Sequence, residues 1–271
     1  MSGNEFERGR SFGRYIGMTL WEVDDGTGSP VIEGFAPVRG AVRGPAGGMA
    51  TGALLTLADG LGGLCGGLAV LPRWVVSTNL MLRVARLDHV GRIWGRARVL
   101  RRGRNGVVTQ IELRDDGHAD ALVGEAVLTS AALDPPEGMP MPPRPVNIDP
   151  GPLPEIEGTL RDALGIREVD PPAGYDAAVR MDVTDDVRNP WGIVHGGATA
   201  MLIEAGADAA AQEAVPGDTV LHFLQPGRTG PMESRVRLIQ GSDGGRAMRI
   251  DVCDRGSGDR RTASATVRAT S

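Results

Sequence analysis

Two stretches of the chain are apolar almost without interruption, and much of the rest alternates. Ala53 to Gly62 and Ala198 to Ala211 carry small and apolar residues with no proline and few polar positions, which predicts helices buried on nearly all sides. Ile93, Gly95, Ala97 and Val99 alternate with Arg92, Trp94, Arg96 and Arg98. Val107, Thr109, Ile111 and Leu113 keep the same period, as do Met248, Ile250 and Val252. Period two predicts antiparallel strands with one buried face. RRGRNG (Arg101 to Gly106) and GSDGG (Gly241 to Gly245) are predicted hairpin turns, with Gly and Asn expected to supply positive φ. One buried helix wrapped by an antiparallel sheet, made twice, is an α+β layout.

The duplication is visible in the residues themselves. GPAGGMATGALLTLADG from Gly44 aligns with NPWGIVHGGATAMLIEAG from Asn189, placing Pro45 on Pro190, Gly47 on Gly192, Gly52 on Gly197, Leu57 on Leu202 and Asp59 on Glu204, at a constant offset of 145. Upstream, YIGMTLWEV from Tyr15 resembles ALGIREVD from Ala163. Downstream, GRIWGRARVLRRGRNGVVTQIELRDDG from Gly91 resembles MESRVRLIQGSDGGRAMRIDVCDRG from Met232. Between the copies, Asp134 to Pro154 is too rich in proline for a helix or an interior strand and is expected to be an extended linker. The predicted domains are therefore residues 1–133 and 155–271, joined by the linker 134–154.

Composition narrows the function classes. Hydrophobic residues make up 41% of the 271, enough for real cores. A formal net charge of -5 argues against nucleic acid as a partner. Cys65 and Cys253 lack metal-ligand spacing, so reduced thiols in a cytoplasmic protein are expected. The polar start MSGNEFERGR has no apolar core of a secretory signal. The longest apolar stretch, Ala50 to Leu71, is broken by Asp59 and many glycines, so no membrane span is expected.

The chemistry-bearing motif lies in the second copy. Asn189, Gly192, His195, Gly196 and Gly197, followed by Glu204 nine positions after the histidine, resemble the hotdog-fold thioesterases of the PaaI type. STNLMLRVARLD from Ser77 resembles the strand that follows the helix in that family. The resemblance implies two tandem hotdog domains, each an antiparallel sheet wrapped around a long buried helix, and hydrolysis of an acyl-CoA thioester without a cofactor or metal. Gly196 and Gly197 would open a helix whose free N–H groups stabilise the developing oxyanion. A carboxylate would activate water or attack the carbonyl itself, and both routes remain open.

Helix geometry then divides the motif between the halves. Nine residues turn through about 900° and rise about 13 Å, so Glu204 faces away from His195. Two domains must pack with opposed helices to build a site. One site would combine Asn189, His195, Gly196 and Gly197 with Asp59 and Ser77. The other would pair Glu204 with Gly44, Ala50 and Thr51, where the Asn, His and first Gly are missing and Pro216 stands near the Ser77 position. One competent and one degraded site are expected.

Plainer roles compete. His195 could simply cap its helix, with the glycines serving packing, and Asp59 could bond a neighbouring loop. Asp208 and Glu213 fit a solvated helix end. Arg101, Arg102 and Arg104 could meet coenzyme A phosphates or be solvated, and His89, His118 and His222 have no assigned role. Met49, Leu55, Trp191 and Met201 are the expected pocket lining. A non-hydrolytic acyl-CoA or acyl-carrier binding protein, or another hotdog chemistry such as hydration, is the alternative. Dimerisation of the fused chain is compatible with the fold, but no feature of the sequence specifies it.

Overall fold

Each half of the chain builds the same succession of elements. The first gives a short helix α1 (Gly13–Ile16), strands β1 (Thr19–Val23) and β2 (Val31–Pro37), a long helix α2 (Thr51–Val70), then β3 (Trp74–Val84), β4 (Arg92–Arg102), β5 (Gly106–Asp115) and β6 (Ala121–Leu133). After β7 (Asn147–Ile148) the second gives α3 (Leu160–Ala163), β8 (Arg167–Val169), β9 (Ala177–Met181), α4 (Gly196–Ala211), β10 (Val215–Phe223), β11 (Met232–Gln240), β12 (Arg246–Asp254) and β13 (Arg260–Thr270). The structure is a computed structural model that describes residues 12–135, 141, 144–189, 191–211, 215–240 and 246–270. The predicted turn Gly241 to Gly245, Pro190, Glu213 and the polar start of the chain lie outside the described residues.

Both halves share one antiparallel sheet. Outward from its middle, β3-β6-β5-β4-β2-β1 on one side is matched by β10-β13-β12-β11-β9-β8 on the other. The halves join where β3 pairs with β10, from Leu82↔Thr219 to Asn79↔His222. The predicted alternation is what seals the core: Ile93, Ala97, Ile111, Leu113, Met248, Ile250 and Val252 all point inward and are fully buried.

Helix α2 runs eight residues beyond the predicted Gly62 and carries Gly62 and Gly66 against the sheet. A Cβ on Gly62 would lie 2.8 Å from Thr109 Oγ1, and one on Gly66 would lie 2.8 Å from Val107 Cγ1. Close approach to β5 is what the glycines provide, against a helix cost of about 1 kcal/mol each. By length and composition α2 could cross a membrane, but Leu54, Leu57 and Leu61 are fully buried in the core.

Two other expectations change, and one feature is added. The Arg101–Gly106 turn is closed by the Gly103 N–H donating to the Gly106 carbonyl at 2.8 Å, and none of Gly103, Asn105 or Gly106 adopts positive φ. Gly106 is needed for space, since its Cβ would sit 2.6 Å from Ser130 O. Within the proline-rich segment, Asn147 and Ile148 form a short edge strand on Trp21 and Leu20 of β1. Finally, two buried aspartates that carried no sequence signal hold matching loops. Asp115 accepts the N–H groups of Val90, Gly91 and Gly117, and Asp254 those of Arg228, Thr229 and Gly230. Burial alone would raise the Asp115 pKa, but those N–H donors and His118 bring it down to about 2.

Candidate active site

Helices α2 and α4 cross in opposite directions, and a glycine from each lets them touch. A Cβ on Gly52 would lie 2.8 Å from Met201 Sδ and 3.0 Å from Met201 Cα. One on Gly197 would lie 2.7 Å from Thr56 Cγ2 and from Phe12 Cδ1. These two glycines occupy the same place in the repeat, so the contact is made twice about an approximate two-fold axis. The start of each helix thereby lies beside the acidic residue of the other.

At one end the acid is Asp59. Its Oδ2 would be 2.7 Å from a Cβ on Gly196, so the carboxylate stands directly against the first residue of α4. The Ser77 hydroxyl donates to Asp59 Oδ1 at 2.6 Å. Burial raises the Asp59 pKa and the Ser77 bond opposes that rise. Asp59 lies deep in the protein yet is partly accessible, because its exposed face is a cavity wall.

His195 lies immediately before α4. Its Nδ1 accepts the Gly197 N–H at 2.9 Å, so the capping role open in the sequence is realised. Burial lowers its pKa to about 4, which keeps the ring neutral near pH 7, with the remaining proton on Nε2. The Phe12 ring stacks on it, with centroids 5.3 Å apart. With the Gly197 N–H taken by His195, the Gly196 N–H has no partner among the described residues. Asn189 shapes the loop before the helix: its Oδ1 accepts from the N–H groups of Trp191 and Ile193 at 3.0 and 3.2 Å.

These groups share a cavity of about 540 Å³ lined by Asp59, Ser77, Asn189, His195 and Gly196. It opens through the sheet. The β3–β10 pairing ends at Asn79↔His222, where Asn79 Nδ2 and His222 Nδ1 lie 3.0 Å apart. Beyond that rung the strands part, and Val75 to Thr78 on one side and Phe223 to Gln225 on the other line the opening. Of the expected pocket residues only Trp191 lines this cavity. Met49, Leu55 and Met201 are buried in the core instead, Met201 in the contact between the two long helices. Arg101, Arg102 and Arg104 are exposed on their hairpin and are not part of the cavity wall.

The equivalent end of the helix pair is arranged differently. Glutamate is one methylene longer than aspartate, and Glu204 Oε1 accepts the Thr51 N–H at 2.6 Å. The Ala50 side chain gives α2 no cap; Glu204 supplies one from the other half. Thr51 Oγ1 donates to Pro216 O at 2.6 Å. Asp218 then ties the strands together, accepting from Val84 N at 2.8 Å and from Arg83 Nη1 at 3.1 Å. Neither Gly44 nor Ala50 bonds Glu204, because their N–H groups donate to the Gly48 and Val42 carbonyls instead. Burial, with the nearby Asp208 charge second, raises the Glu204 pKa. Asp208 is not a solvated end: its Oδ1 is buried without a hydrogen-bond partner, and burial raises its pKa also.

The remaining histidines hold structure. Buried His89 accepts the Met49 N–H on Nδ1 at 2.9 Å, and His118 Nδ1 lies 2.8 Å from Asp115 Oδ2. No group of three or more His, Cys, Asp or Glu side chains arranged to hold a metal occurs among the described residues. Phe12, Asp218 and the two loop-holding aspartates are among the residues the sequence did not single out. A phenylalanine ahead of the first strand of one domain gives no hint that it stacks in the other.

No protein-family model matches the sequence, and no curated protein matches it. Solved structures do match over most of the chain. A hotdog-fold protein from Alicyclobacillus acidocaldarius is 14% identical with a TM-score of 0.61, the match covering 97% of this chain and 99% of that one. An acyl-ACP thioesterase from Bacteroides thetaiotaomicron is 12% identical with a TM-score of 0.60, covering 89% and 98%. The 12:0-ACP thioesterase from Umbellularia californica is 14% identical with a TM-score of 0.59, covering 89% and 94%. Together with the repeated helix-in-sheet topology, these matches give the chain its fold: two tandem hotdog units joined through one continuous sheet.

Proposed function

We propose that the protein hydrolyses an acyl-CoA thioester at a single site between its two halves. The observation that carries this reading is the Asp59 carboxylate set against Gly196, whose N–H is unpartnered among the described residues, in a cavity open through the sheet. A thioester carbonyl seated at the start of α4 meets that N–H and the positive end of the helix dipole. Both interactions strengthen as the oxygen gains charge. Asp59, held by Ser77, then acts as the base for a water molecule or as the attacking group. The sheet opening gives the substrate its way in. At the Glu204 end the Thr51 N–H is already bonded, and the strands are tied by Asp218, so that end serves structure.

The test is release of free coenzyme A across a panel of short, long and aromatic acyl-CoA thioesters. Hydrolysis of at least one class, lost in Asp59→Asn, supports the reading. Protection against heat by acyl-CoA with no release of CoA identifies a non-hydrolytic binding protein instead.

A further inference from the structure

The loop that leads into each long helix is built the same way in both halves. The His195 N–H donates to Val187 O at 2.8 Å, and the Ala50 N–H to Val42 O at 2.9 Å. The Gly192 N–H donates to Asn189 O at 2.9 Å, and the Gly47 N–H to Gly44 O at 3.0 Å. Arg188 and Arg43 donate through Nη1 to the carbonyls of Gly192 and Gly47 respectively. The loop backbone therefore holds its shape by its own bonds at either end of the helix pair.

At the Asp59 end, two ties from the other half are added. The fully buried Phe12 ring lies 25° from parallel with the His195 imidazole, with centroids 5.3 Å apart. Arg14 Nη2 donates to Asp186 Oδ1 at 2.9 Å. Neither tie has its residues at the Glu204 end. The offset of 148 that places Tyr15 on Ala163 puts Leu160 in the place of Phe12 and Asp162 in that of Arg14. The offset of 145 puts Ala50 in the place of His195 and Ala41 in that of Asp186. Asp162 is used locally instead, accepting the Thr159 N–H at 2.9 Å. Since the loop folds alike without these ties, they serve something other than its backbone. The Arg14–Asp186 pair is exposed and of small energy. The ring stack reaches a side chain of the site itself.

What the stack holds is the direction of the imidazole. His195 Nδ1 accepts the Gly197 N–H at 2.9 Å, a donor of the first helical turn that no helix carbonyl satisfies. Gly197 is buried and not part of the cavity wall, so the cavity offers that N–H no other acceptor. A ring free to turn would leave it unpaired in the interior, which is costly. The turn that would then shift begins with two glycines, whose backbone is the least constrained of any residue. Gly196 would move with it, and Asp59 Oδ2 stands only 2.7 Å from the position of a Gly196 Cβ. We infer that Phe12 is a positioning residue of the active site: its ring clamps the imidazole of His195 from the other half, so that Nδ1 keeps the Gly197 N–H and the first turn of α4 presents Gly196 to the thioester beside Asp59. This rests on the thioesterase reading above and deepens it, since the amino-terminal helix of the first half becomes part of the oxyanion side of the site.

The test compares wild type with Phe12→Leu, the residue found at the equivalent position, and with Phe12→Tyr, which keeps the ring. Melting temperature reports folding, and Phe12→Met replaces the leucine variant if that one does not fold. A lost transition-state contact lowers kcat and leaves KM nearly unchanged. Phe12→Leu is therefore expected to lower kcat for acyl-CoA hydrolysis about tenfold or more, while Phe12→Tyr retains most of the wild-type rate. Amide hydrogen exchange followed by NMR reads the clamp without substrate. In wild type the Gly197 amide should exchange more slowly than that of Gly196. Phe12→Leu should speed Gly197 about tenfold, with Leu202 inside the helix unchanged. Unchanged kcat in Phe12→Leu, equal losses in the folded leucine and tyrosine variants, or equal acceleration at Gly197 and Leu202 each overturns the inference. Fast Gly197 exchange in wild type overturns it as well. Slow Gly197 exchange that depends on the Phe12 ring, without turnover of any acyl-CoA, keeps the clamp and removes the hydrolase.

Discussion

Glu204 Oε1 accepts the Thr51 N–H at 2.6 Å, whereas its counterpart Asp59 bonds Ser77 and stands against a Gly196 N–H that has no partner among the described residues. Two ends of one near-symmetric helix pair thus put their acids to different uses. Glu204 is a buried acid whose pKa is raised, so the folded state holds its proton more tightly than the unfolded state does. Stability from that proton is fully present below the ordinary carboxylate range and is lost as pH rises through the raised value. Glu204→Gln keeps the shape of the neutral form. Denaturant midpoints measured across this range are expected to fall less steeply with pH in the variant than in wild type.

Ser77 is placed to tune Asp59. Its hydroxyl bond favours the ionised carboxylate and offsets part of the burial. Ser77→Ala removes a hydrogen bond to a charged group, of the order of 1.5–3 kcal/mol. The acid limb of the kcat/KM profile is therefore expected to move to higher pH by about one unit or more, with the plateau reduced. An unmoved limb with a lower plateau would mean that Ser77 contributes only packing.

His195 titrates in the opposite sense. Its folded pKa of about 4 is below its unfolded value, so the unfolded chain binds the extra proton first as pH falls. Stability is lost from about pH 6.5 down towards 4, at up to about 1.4 kcal/mol per pH unit for one proton. Asn also serves as a helix cap and does not titrate. His195→Asn should remove one proton from this limb, leaving the contribution of buried His89, whose pKa is also lowered by burial.

The helix crossing predicts a contrast among glycines of similar sequence context. Gly197→Ala forces a methyl to within 2.7 Å of Thr56 and Phe12, an overpacking cost of about 1–3 kcal/mol. Gly63→Ala in α2 meets nothing within 4 Å and should stabilise by about 0.5–1 kcal/mol through helix propensity. Thermal unfolding of the two variants separates them by sign.

Much of this was legible in the chain because the fold repeats. The offset that aligns Asp59 with Glu204 and Gly52 with Gly197 required two equivalent helices, and the turn of a helix required that they pack against each other. Period two identified the inward residues of β4, β5 and β12. What escaped depends on contacts between distant segments. Phe12 reaches His195 across the domain boundary, and Asp115 and Asp254 answer orphan N–H groups in loops that sequence does not bring near them. The extension of α2 through its glycines was hidden for a related reason: glycine lowers helix propensity locally, while the facing strand that rewards it is distant in sequence. Asp208 looked solvated because nothing local marks the last turn of α4 as enclosed.

The claim of one working site between two unequal halves is tested most directly by measuring acyl-CoA hydrolysis in Asp59→Asn and Glu204→Gln side by side. The account predicts that Asp59→Asn lowers kcat/KM at least about 100-fold, while Glu204→Gln, if folded, retains most of the wild-type rate. Equal losses in the two folded variants would contradict it.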